Sequence, residues 1–424
     1  MKIVFLCNQF PYPPFSGIKR IVSILAKYLK KEGNRLYLFS LTAPEKKFEN
    51  DAFEEIKVAT KKGNFMNKII ECIKGFLKKP VQIAIFNDPG NIREFKNYVK
   101  SKKPDLIFVD YIRSGDYCLN INLPKIIYYC DPQSLKFERI QKYLKEVENP
   151  FGEGINFLPN FLKKILLIPI FKKIILKYEI YTLKRYEREI SKHYNLVLLA
   201  SLEDALYLKK NKIKNIKLFP PLIDKEFYKY DDKKKKNVII FVGKMDYSPN
   251  PHAVLYFTKK ILPEIEKIYQ DPFEFKIIGA NTPSWMFKLQ NEKIKVLGEV
   301  EDIRPYFSES KVFVAPLKFG TGIKVKIIEA MALGVPVVTT SIGVQGINVK
   351  NGVHLFVEDD PKNFAKYVVE LLKNEDLRER IAENARNYVF ENFDAEKYVR
   401  EIFITSLLFE KKLSYQARVF QKEK

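Results

Sequence analysis

The sequence predicts an α/β fold made of two domains, each with its own parallel sheet. Residues 2–41 and residues 312–340 each read as strand, loop, helix and strand, which is the repeating unit of a parallel sheet. The chain has 424 residues, which is too long for one typical hydrophobic core. Because hydrophobic residues make up 46% of the chain, we expect folded cores rather than disorder.

The later unit shows the pattern most clearly. An apolar strand leads into a loop broken by two glycines, and the loop opens a helix that ends at a glycine before a β-branched strand. The predicted bounds are Val312–Pro316, a loop with Gly320 and Gly322, the helix Lys324–Leu333, the cap Gly334 and the strand Val335–Thr340.

The glycine loop and helix start of this unit are suited to binding an anion. A helix N-terminus carries unpaired N–H groups and about half a positive charge. Lys324 and Lys326 add two ammonium groups where basic residues are unfavourable for the helix itself. Glu329 lies three residues further on and is able to accept hydrogen bonds from sugar hydroxyls. The alternative is that both lysines are solvated and that Glu329 pairs with one of them.

The first unit begins with the strand Lys2–Asn8 and a proline-rich loop that ends at Ser16 and Gly17. The helix Ile18–Lys31 and the strand Arg35–Leu41 follow. Because Gly17 stands just before the helix, it is a second candidate for a phosphate cradle. The alternative is that the turn needs a glycine for conformational reasons alone.

Two further strand ends carry candidate ligand groups. The strand Val238–Val242 runs into Gly243 and Lys244, and Lys244 is either a phosphate ligand or a surface lysine. The apolar strand IIYYC ends at Asp131, and ligands bind at the carboxyl ends of the strands in open parallel sheets. The alternative for Asp131 is a cap of the turn that follows.

Composition narrows the possible partners. The formal net charge is +23, which favours phosphate-bearing partners such as a nucleotide or an anionic membrane. The sequence has no zinc-ligand spacing, helix-turn-helix pattern or aromatic RNA-binding motif, so we expect no nucleic acid partner. The four cysteines form no C-x-x-C pair, which fits reduced thiols in the cytoplasm, and we expect no signal peptide at the start.

Residues 155–177 alternate apolar triplets with pairs of lysine, and Pro169 interrupts them. The run carries too many charges to span a bilayer. It fits an amphipathic segment that lies on an anionic membrane surface, with its lysines toward the headgroups. The alternative is a helical excursion packed on its own domain.

A polar, lysine-rich run at Asp231–Lys236 reads as a hinge between the domains. We therefore expect an N-terminal, acceptor-side domain in residues 1–220 and a C-terminal domain in residues 221–395. The remaining residues, 396–424, begin with a helix that is long enough to cross back onto the first domain.

Several stretches carry a family resemblance, which covers roughly residues 238–360 and the N-terminal unit. They are FVGKMDYSPNPHAVLYF, FKIIGA, VLGEVEDIRPYF, VFVAPLKFGTGIKVKIIEAMALGVPVVTT, GVHLFVEDD and FPYPPFSGIKRIVSILAKYLKKEGNRLYLFS. Their order and spacing resemble a retaining GT-B glycosyltransferase of group 1, similar to glycosyltransferase family 4. The GTGIK form of the loop is similar in particular to members of capsule and exopolysaccharide pathways. The resemblance implies two Rossmann-like domains facing an interdomain cleft, with the nucleotide-sugar site in the second.

By this resemblance, Glu329 would hold the ribose of the donor, and Lys244, Lys324 and Lys326 would bind its diphosphate. Gly17 would approach the same phosphates from the N-terminal loop. The candidate catalytic residues are Lys244, Lys326 and Asp131, and the candidate donor-binding residues are Ser16, Gly17, Gly243, Gly322, Lys324 and Glu329.

Three departures from the family pattern affect these roles. The first glutamate of the family's glutamate pair falls at Thr321, so the usual contact to the donor sugar is absent or replaced. The second basic residue of the first corner falls at Pro249, so Lys324 or Lys326 would take over its role. Asp131 stands where family members often carry a histidine.

The resemblance implies an enzyme that moves a sugar from a nucleoside-diphosphate sugar to a hydroxyl of a glycan or lipid-linked acceptor, with retention. We expect it in cell-surface polysaccharide biosynthesis at the cytoplasmic face of the cell membrane. Because the chain has no D-x-D motif, lysines rather than a metal are expected to hold the diphosphate, and no cofactor is expected. Two alternatives remain open: a nucleotide-sugar epimerase of the same fold, and a non-catalytic membrane-surface relative.

Overall fold

The computed structural model describes residues 1–14, 17–44, 51–60, 79–142, 144, 160–229 and 235–402. It divides into two compact units. The first contains Met1–Lys142, Pro150–Leu222 and the chain from Ala395 onward. The second contains Ile223–Asp394.

The first unit is built on a parallel sheet whose strand order, in the described residues, is β3-β2-β1-β4-β5-β6-β7. The order reverses direction beside β1, as in doubly wound α/β sheets, where ligands bind at the carboxyl ends of the strands. The strands are β1 (Lys2–Cys7), β2 (Arg35–Ser40), β3 (Glu55–Val58), β4 (Leu106–Val109), β5 (Lys125–Cys130), β6 (Leu196–Leu199) and β7 (Ile216–Leu218).

Helices connect these strands, as a parallel sheet requires. In the described part of the first unit they are α1 (Gly17–Lys31), α2 (Val81–Ala84), α3 (Pro89–Lys102), α4 (Gln133–Lys142), α5 (Asn160–Leu166), α6 (Pro169–Ser191) and α7 (Leu202–Lys210), with a 3₁₀ segment at Ile112–Cys118.

The second unit repeats the arrangement with the strand order β10-β9-β8-β11-β12-β13, again parallel throughout. The reversal lies between β8 and β11. The strands are β8 (Lys236–Val242), β9 (Glu274–Ile278), β10 (Ile294–Gly298), β11 (Ser310–Ala315), β12 (Val337–Thr339) and β13 (Phe356–Val357).

The helices of the second unit cover both faces of this sheet, and its two core clusters lie beneath them. In chain order they are α8 (Pro249–Tyr256), α9 (Leu262–Ile268), α10 (Ser284–Phe287), α11 (Arg304–Glu309), α12 (Val325–Ala332), α13 (Pro361–Lys373) and α14 (Glu375–Asn392), with a π turn at Phe257–Ile261.

The inner strands show why the sequence reads as continuous apolar runs. In β8, Ile239, Ile240 and Phe241 are all fully buried, although successive side chains point to opposite faces. A strand buried on both faces has no polar side, which is typical of parallel sheets covered by helices. The predicted α/β fold with two parallel sheets is therefore confirmed.

The chain returns to the first unit after α14. Residues 395–402 are helical, and Val399 and Ile402 are buried in the core cluster of the first unit. Tyr398 packs edge-on against Phe219 of the same unit. The rest of the predicted C-terminal segment, residues 403–424, lies outside the described residues.

The lysine-rich segment predicted at 155–177 falls partly outside the described residues, which resume at Asn160. From there it forms α5 and the first turns of α6, with Pro169 at the start of α6. Proline is tolerated at that position because the first N–H groups of a helix have no partner within it.

Candidate functional site

The glycine loop of the second unit joins β11 to α12. Gly320 and Gly322 have φ values of +145° and +66°, which favour glycine. The backbone N–H of Thr321 donates to the Tyr247 hydroxyl at 3.4 Å. Helix α12 then begins without a side-chain cap on its first N–H groups. The predicted loop-to-helix corner is therefore confirmed, and Gly334 ends the helix as predicted, with φ +67°.

The structure places Lys324 within the loop itself. Its side chain is buried, and its ammonium donates to the carbonyls of Gly322 at 2.6 Å and Thr321 at 3.3 Å. These bonds give the positive-φ turn a fixed shape just before the first turn of α12. Lys324 thus stabilises the glycine loop at the start of α12, which the sequence predicts as the phosphate site.

Lys326 is the second residue of α12, and both groups that its ammonium contacts are neutral. Its ammonium donates to Oδ1 of Asn250 at 2.6 Å and stands 4.2 Å from the ring centre of Phe241. Burial, followed by repulsion from Lys324, lowers the pKa of Lys326 to about 7. Within the described residues, no carboxylate forms an ion pair with it.

Glu329 is held by a residue far away in the chain. The Tyr228 hydroxyl donates to Oε1 of Glu329 at 2.7 Å, and both side chains are buried. Because Glu329 follows Lys326 by three residues on α12, the carboxylate and the amine lie on neighbouring faces of one helix.

The corner after β8 packs against this helix. Asn250 donates from Nδ2 to the Lys244 carbonyl at 2.7 Å, and a Cβ added at Gly243 would lie 2.8 Å from the Asn250 amide. The packing is tighter still at Gly279, where a Cβ would lie 1.9 Å from the Gly243 backbone oxygen. The Lys244 ammonium is half-exposed and pairs with Asp246 at 3.0 Å.

The remaining predicted residues belong to the first unit. Gly17 is exposed at the start of α1, whereas Ser16 lies outside the described residues. Asp131 follows β5 and is half-buried, with the Gln133 amide donating to its Oδ1 and its carbonyl at 3.3 Å each. Cys130, just before it, has φ +64°, a strained value for a cysteine that often marks functional sites.

Asp131 also has acidic neighbours. Burial raises the pKa of Glu187 to about 7, and the charge of Asp131 adds to this rise. Burial and then Asp131 likewise raise the pKa of Asp204 to about 6. Within the described residues, no cluster of three metal-ligating side chains is formed.

The structure brings Lys244, Lys326, Gly322, Lys324 and Glu329 to one corner of the second unit. Sequence reasoning missed Asn250, Tyr228 and Tyr247, which hold that corner together. Asn250 reads only as a helix start, and Tyr228 reads as part of a linker. Gly243 was the one signal in the sequence, since a glycine beside a strand end marks a close approach, and the structure packs Asn250 there.

The segment that carries this corner matches a known family. Residues 236–374 fit the family model described as Glycosyl transferases group 1. The family that this segment matches is group 1 of the glycosyl transferases. The match runs from β8 through α13, so it includes the β8 corner, the glycine loop and all of α12.

Two curated relatives are similar to parts of this chain. An uncharacterized 44.6 kDa protein in the cps region of Klebsiella pneumoniae is 26% identical over 245 residues, 55% of this chain and 62% of the relative. The capsular polysaccharide biosynthesis glycosyltransferase CapM of Staphylococcus aureus is 32% identical over 168 residues, 38% of this chain and 43% of the relative. The chain thus spans less than two thirds of the length of either relative.

A solved structure shows the fold over nearly the whole chain. HepE of Anabaena, in complex with UDP and glucose, has a TM-score of 0.62 and covers 96% of this chain and 99% of its own. At 15% sequence identity the likeness shows the fold alone, which is GT-B: two Rossmann-like units with parallel sheets.

Among the described helices, none combines the length and hydrophobicity that a membrane span requires.

Proposed function

We propose that this protein is a retaining glycosyltransferase that moves a sugar from a nucleoside-diphosphate sugar to a hydroxyl of a glycan or lipid-linked acceptor in cell-surface polysaccharide biosynthesis. The observation that carries the proposal is the half-buried Lys326 ammonium, held by neutral groups beside a glycine loop in the segment that matches group 1. A buried cation without a counter-ion is costly unless a ligand supplies the charge.

The site has the groups that this reaction needs on the donor side. When the bond from the anomeric carbon to the phosphate oxygen breaks, negative charge develops on the leaving diphosphate. Lys326, Lys244 and the uncapped N-terminus of α12 would stabilise that charge, and Glu329 would accept hydrogen bonds from the ribose. The acceptor hydroxyl would attack the anomeric carbon on the leaving-group face, which gives retention, and would pass its proton to the departing diphosphate oxygen. Asp131 is proposed to contact the transferred sugar.

The proposed reaction needs no divalent metal, because ammonium groups take the place of a cation on the diphosphate. The absence of a D-x-D motif from the sequence supports this. HepE, which shares the fold, was solved with UDP and glucose, and this supports a uridine diphosphate as the first donor to test. CapM supports a capsule-type pathway.

The test is a product analysis with purified protein and a panel of nucleotide sugars, in the presence of a chelator. A glycosyltransferase yields a glycoside that appears only with an acceptor, and its anomeric configuration matches that of the donor. A donor converted to a new nucleotide sugar without any acceptor would favour an epimerase. No turnover of any donor, with or without acceptor, would overturn the proposed activity.

We also propose that the first turns of α6 rest on an anionic membrane surface. Ile170, Phe171 and Ile174 are 64%, 43% and 57% exposed, which is unusual for three large apolar side chains within five residues. Lys173 and Lys177 are exposed beside them, and residues 160–178 contain no acidic side chain. Apolar side chains next to lysines fit the boundary between acyl chains and negative headgroups. The proposed location is therefore the cytoplasmic face of the cell membrane.

Vesicle sedimentation tests this surface. We expect the protein to pellet with phosphatidylcholine vesicles that contain phosphatidylglycerol and to stay in the supernatant with phosphatidylcholine alone. Changing Ile170, Phe171 and Ile174 to serine should abolish pelleting. Leu202 and Leu206 of α7 are 60% and 56% exposed, so the same change there is a matched control that should leave pelleting intact. Equal loss of pelleting in both variants would reject the first turns of α6 as the membrane-binding surface.

A further inference from the structure

Asn250 connects two parts of the candidate site with one side chain. Its Nδ2 donates to the backbone carbonyl of Lys244 at 2.7 Å, and its Oδ1 accepts from the Lys326 ammonium at 2.6 Å. The side chain is 5% exposed and packs onto the bare backbone of Gly243. The amide therefore fixes the position of the Lys326 amine relative to the corner after β8.

The amide is also electrically neutral, and so is the aromatic ring on which Lys326 rests. The ring of Phe241 attracts a cation through its face but carries no net charge. A lysine in such a place usually has a carboxylate partner, because removing an ammonium from water is costly. Here the two groups that touch it leave its charge uncompensated.

The titratable groups of the described elements around Lys326 each have contacts of their own. Lys324, at the start of the same helix, repels it and donates to loop carbonyls. Asp246 of the β8 corner pairs with Lys244. Glu329, on the next turn of α12, accepts from Tyr228, and His252 of α8 packs on the ring of Phe319.

We propose that Asn250 is a positioning residue that holds the Lys326 ammonium at the corner without neutralising it, so that a bound phosphate group supplies its counter-charge. The proposal rests on the proposed function, since it takes the diphosphate of the donor as the phosphate group. An aspartate at position 250 would have nearly the same shape. It would lose the hydrogen bond to the Lys244 carbonyl but would supply the counter-charge for Lys326 from within the protein. It would compete with the ligand for Lys326.

Proton linkage follows from this arrangement. Burial and Lys324 lower the pKa of Lys326 in the free protein to about 7, so above that pH the amine is mostly neutral. A bound phosphate favours the ammonium form and raises the pKa. Binding at a pH about one unit above that pKa should therefore take up close to one proton. In an Asn250→Asp variant the amine should already be charged, and the uptake should disappear.

Calorimetric titration with UDP, in buffers of different ionisation enthalpy at about pH 8, measures both effects. For Asn250→Asp we expect binding about tenfold weaker or more, no proton uptake, and a melting temperature near that of the natural protein, because the new ion pair with Lys326 offsets the lost bond to the Lys244 carbonyl. Asn291→Asp is a charge-matched control in the same unit, because the Asn291 side chain lies at an exposed turn and its Oδ1 accepts from the backbone N–H groups of Lys293 and Ile294. It should bind UDP as the natural protein does.

A second measurement needs no ligand, and its first part uses the natural protein alone. The ε-carbon shift of Lys326, followed by NMR against pH in the natural protein, should titrate far below other lysines. In Asn250→Asp the titration should move up toward ordinary lysine values. If the natural protein takes up no proton on binding, or if Asn250→Asp binds UDP normally, the proposal is overturned. If no nucleotide binds while the NMR titration is low, the proposed function fails and the neutral setting of Lys326 stands.

Discussion

The hydroxyl of Tyr228 lies 2.7 Å from Oε1 of Glu329, although 101 positions separate the two residues in the chain. Tyr228 follows the segment that leaves the first unit, and Glu329 lies in the middle of α12. Both belong to the second unit and both are buried. The bond orients the buried Glu329 carboxylate and supplies one of its hydrogen-bond donors. Glu329 lies on the same helix as Lys326.

Changing Tyr228 to phenylalanine should weaken nucleotide binding without unfolding the protein. The variant keeps the buried ring and removes the hydrogen bond, which is worth about 1.5–3 kcal/mol to an ionised acceptor. We expect a loss of about fivefold to twentyfold in UDP affinity and a modest drop in melting temperature. Tyr306→Phe, a change of the same kind on α11, is the control. An unchanged affinity would mean that Glu329 does not contact the nucleotide.

Changing Lys326 to methionine should separate activity from stability. The substitution removes a half-buried ammonium and keeps a flexible side chain of similar length, so the free energy of unfolding should stay the same or rise. Turnover should fall about a hundredfold or more, because a fixed charge at the leaving group is lost. Lys267→Met, at a position 65% exposed, is the control and should change neither quantity. A parallel loss of turnover and stability in Lys326→Met would argue for a purely structural lysine.

Changing Gly279 to alanine should destabilise the second unit severely. The added Cβ would stand 1.9 Å from the backbone oxygen of Gly243, which no side-chain movement relieves. We expect a loss of about 3 kcal/mol or more in the free energy of unfolding. At Gly352, where φ is +73° and no atom lies within 4 Å of the added Cβ, alanine should cost only about 1 kcal/mol. Similar losses in the two variants would contradict the packing of the β8 corner.

Buried carboxyls should make the first unit less stable as the pH rises. Burial raises the pKa of Glu179 from 4.5 to about 7, so the folded state holds a proton that the unfolded chain has lost. Stability from this group is present below pH 4.5, falls through the window up to about pH 7, and is constant above it. In Glu179→Gln this loss is absent, while the side-chain oxygen still accepts from Val81.

Urea unfolding of both proteins across that pH window measures the effect. The free energy of unfolding of Glu179→Gln, relative to that of the natural protein, should rise by about 1 kcal/mol for each pH unit in this window. The control is Glu401→Gln, which changes an exposed carboxyl of the same unit and should follow the natural protein. Parallel pH profiles for natural protein and Glu179→Gln would show that the Glu179 carboxyl is already ionised when folded.

The sequence predicted the parts of the fold that follow from local pattern. Continuous apolar runs such as Val312–Pro316 gave the buried strands, and Gly334 gave the end of α12. The edge strand β3 was missed, because EIKV is short and alternates charge with apolar residues. The loop-to-helix corner was predicted from Gly320 and Gly322, since their backbone freedom is a property of the residue type.

The contacts that set the chemistry of that corner were not predictable in the same way. Lys324 and Lys326 read alike in the sequence, as two lysines at the start of a helix. In the structure one donates to loop carbonyls and the other rests on Phe241 and Asn250. That difference depends on residues about 75 to 85 positions away, and a local pattern carries no information about such partners.

The most direct test is a crystal structure of the protein with UDP, grown with a chelator and no divalent ion. The account predicts the diphosphate at the glycine loop, with a phosphate oxygen within hydrogen-bonding distance of the Lys326 ammonium and the ribose hydroxyls on Glu329. A nucleotide bound elsewhere, or one that enters only when magnesium is added, would contradict it.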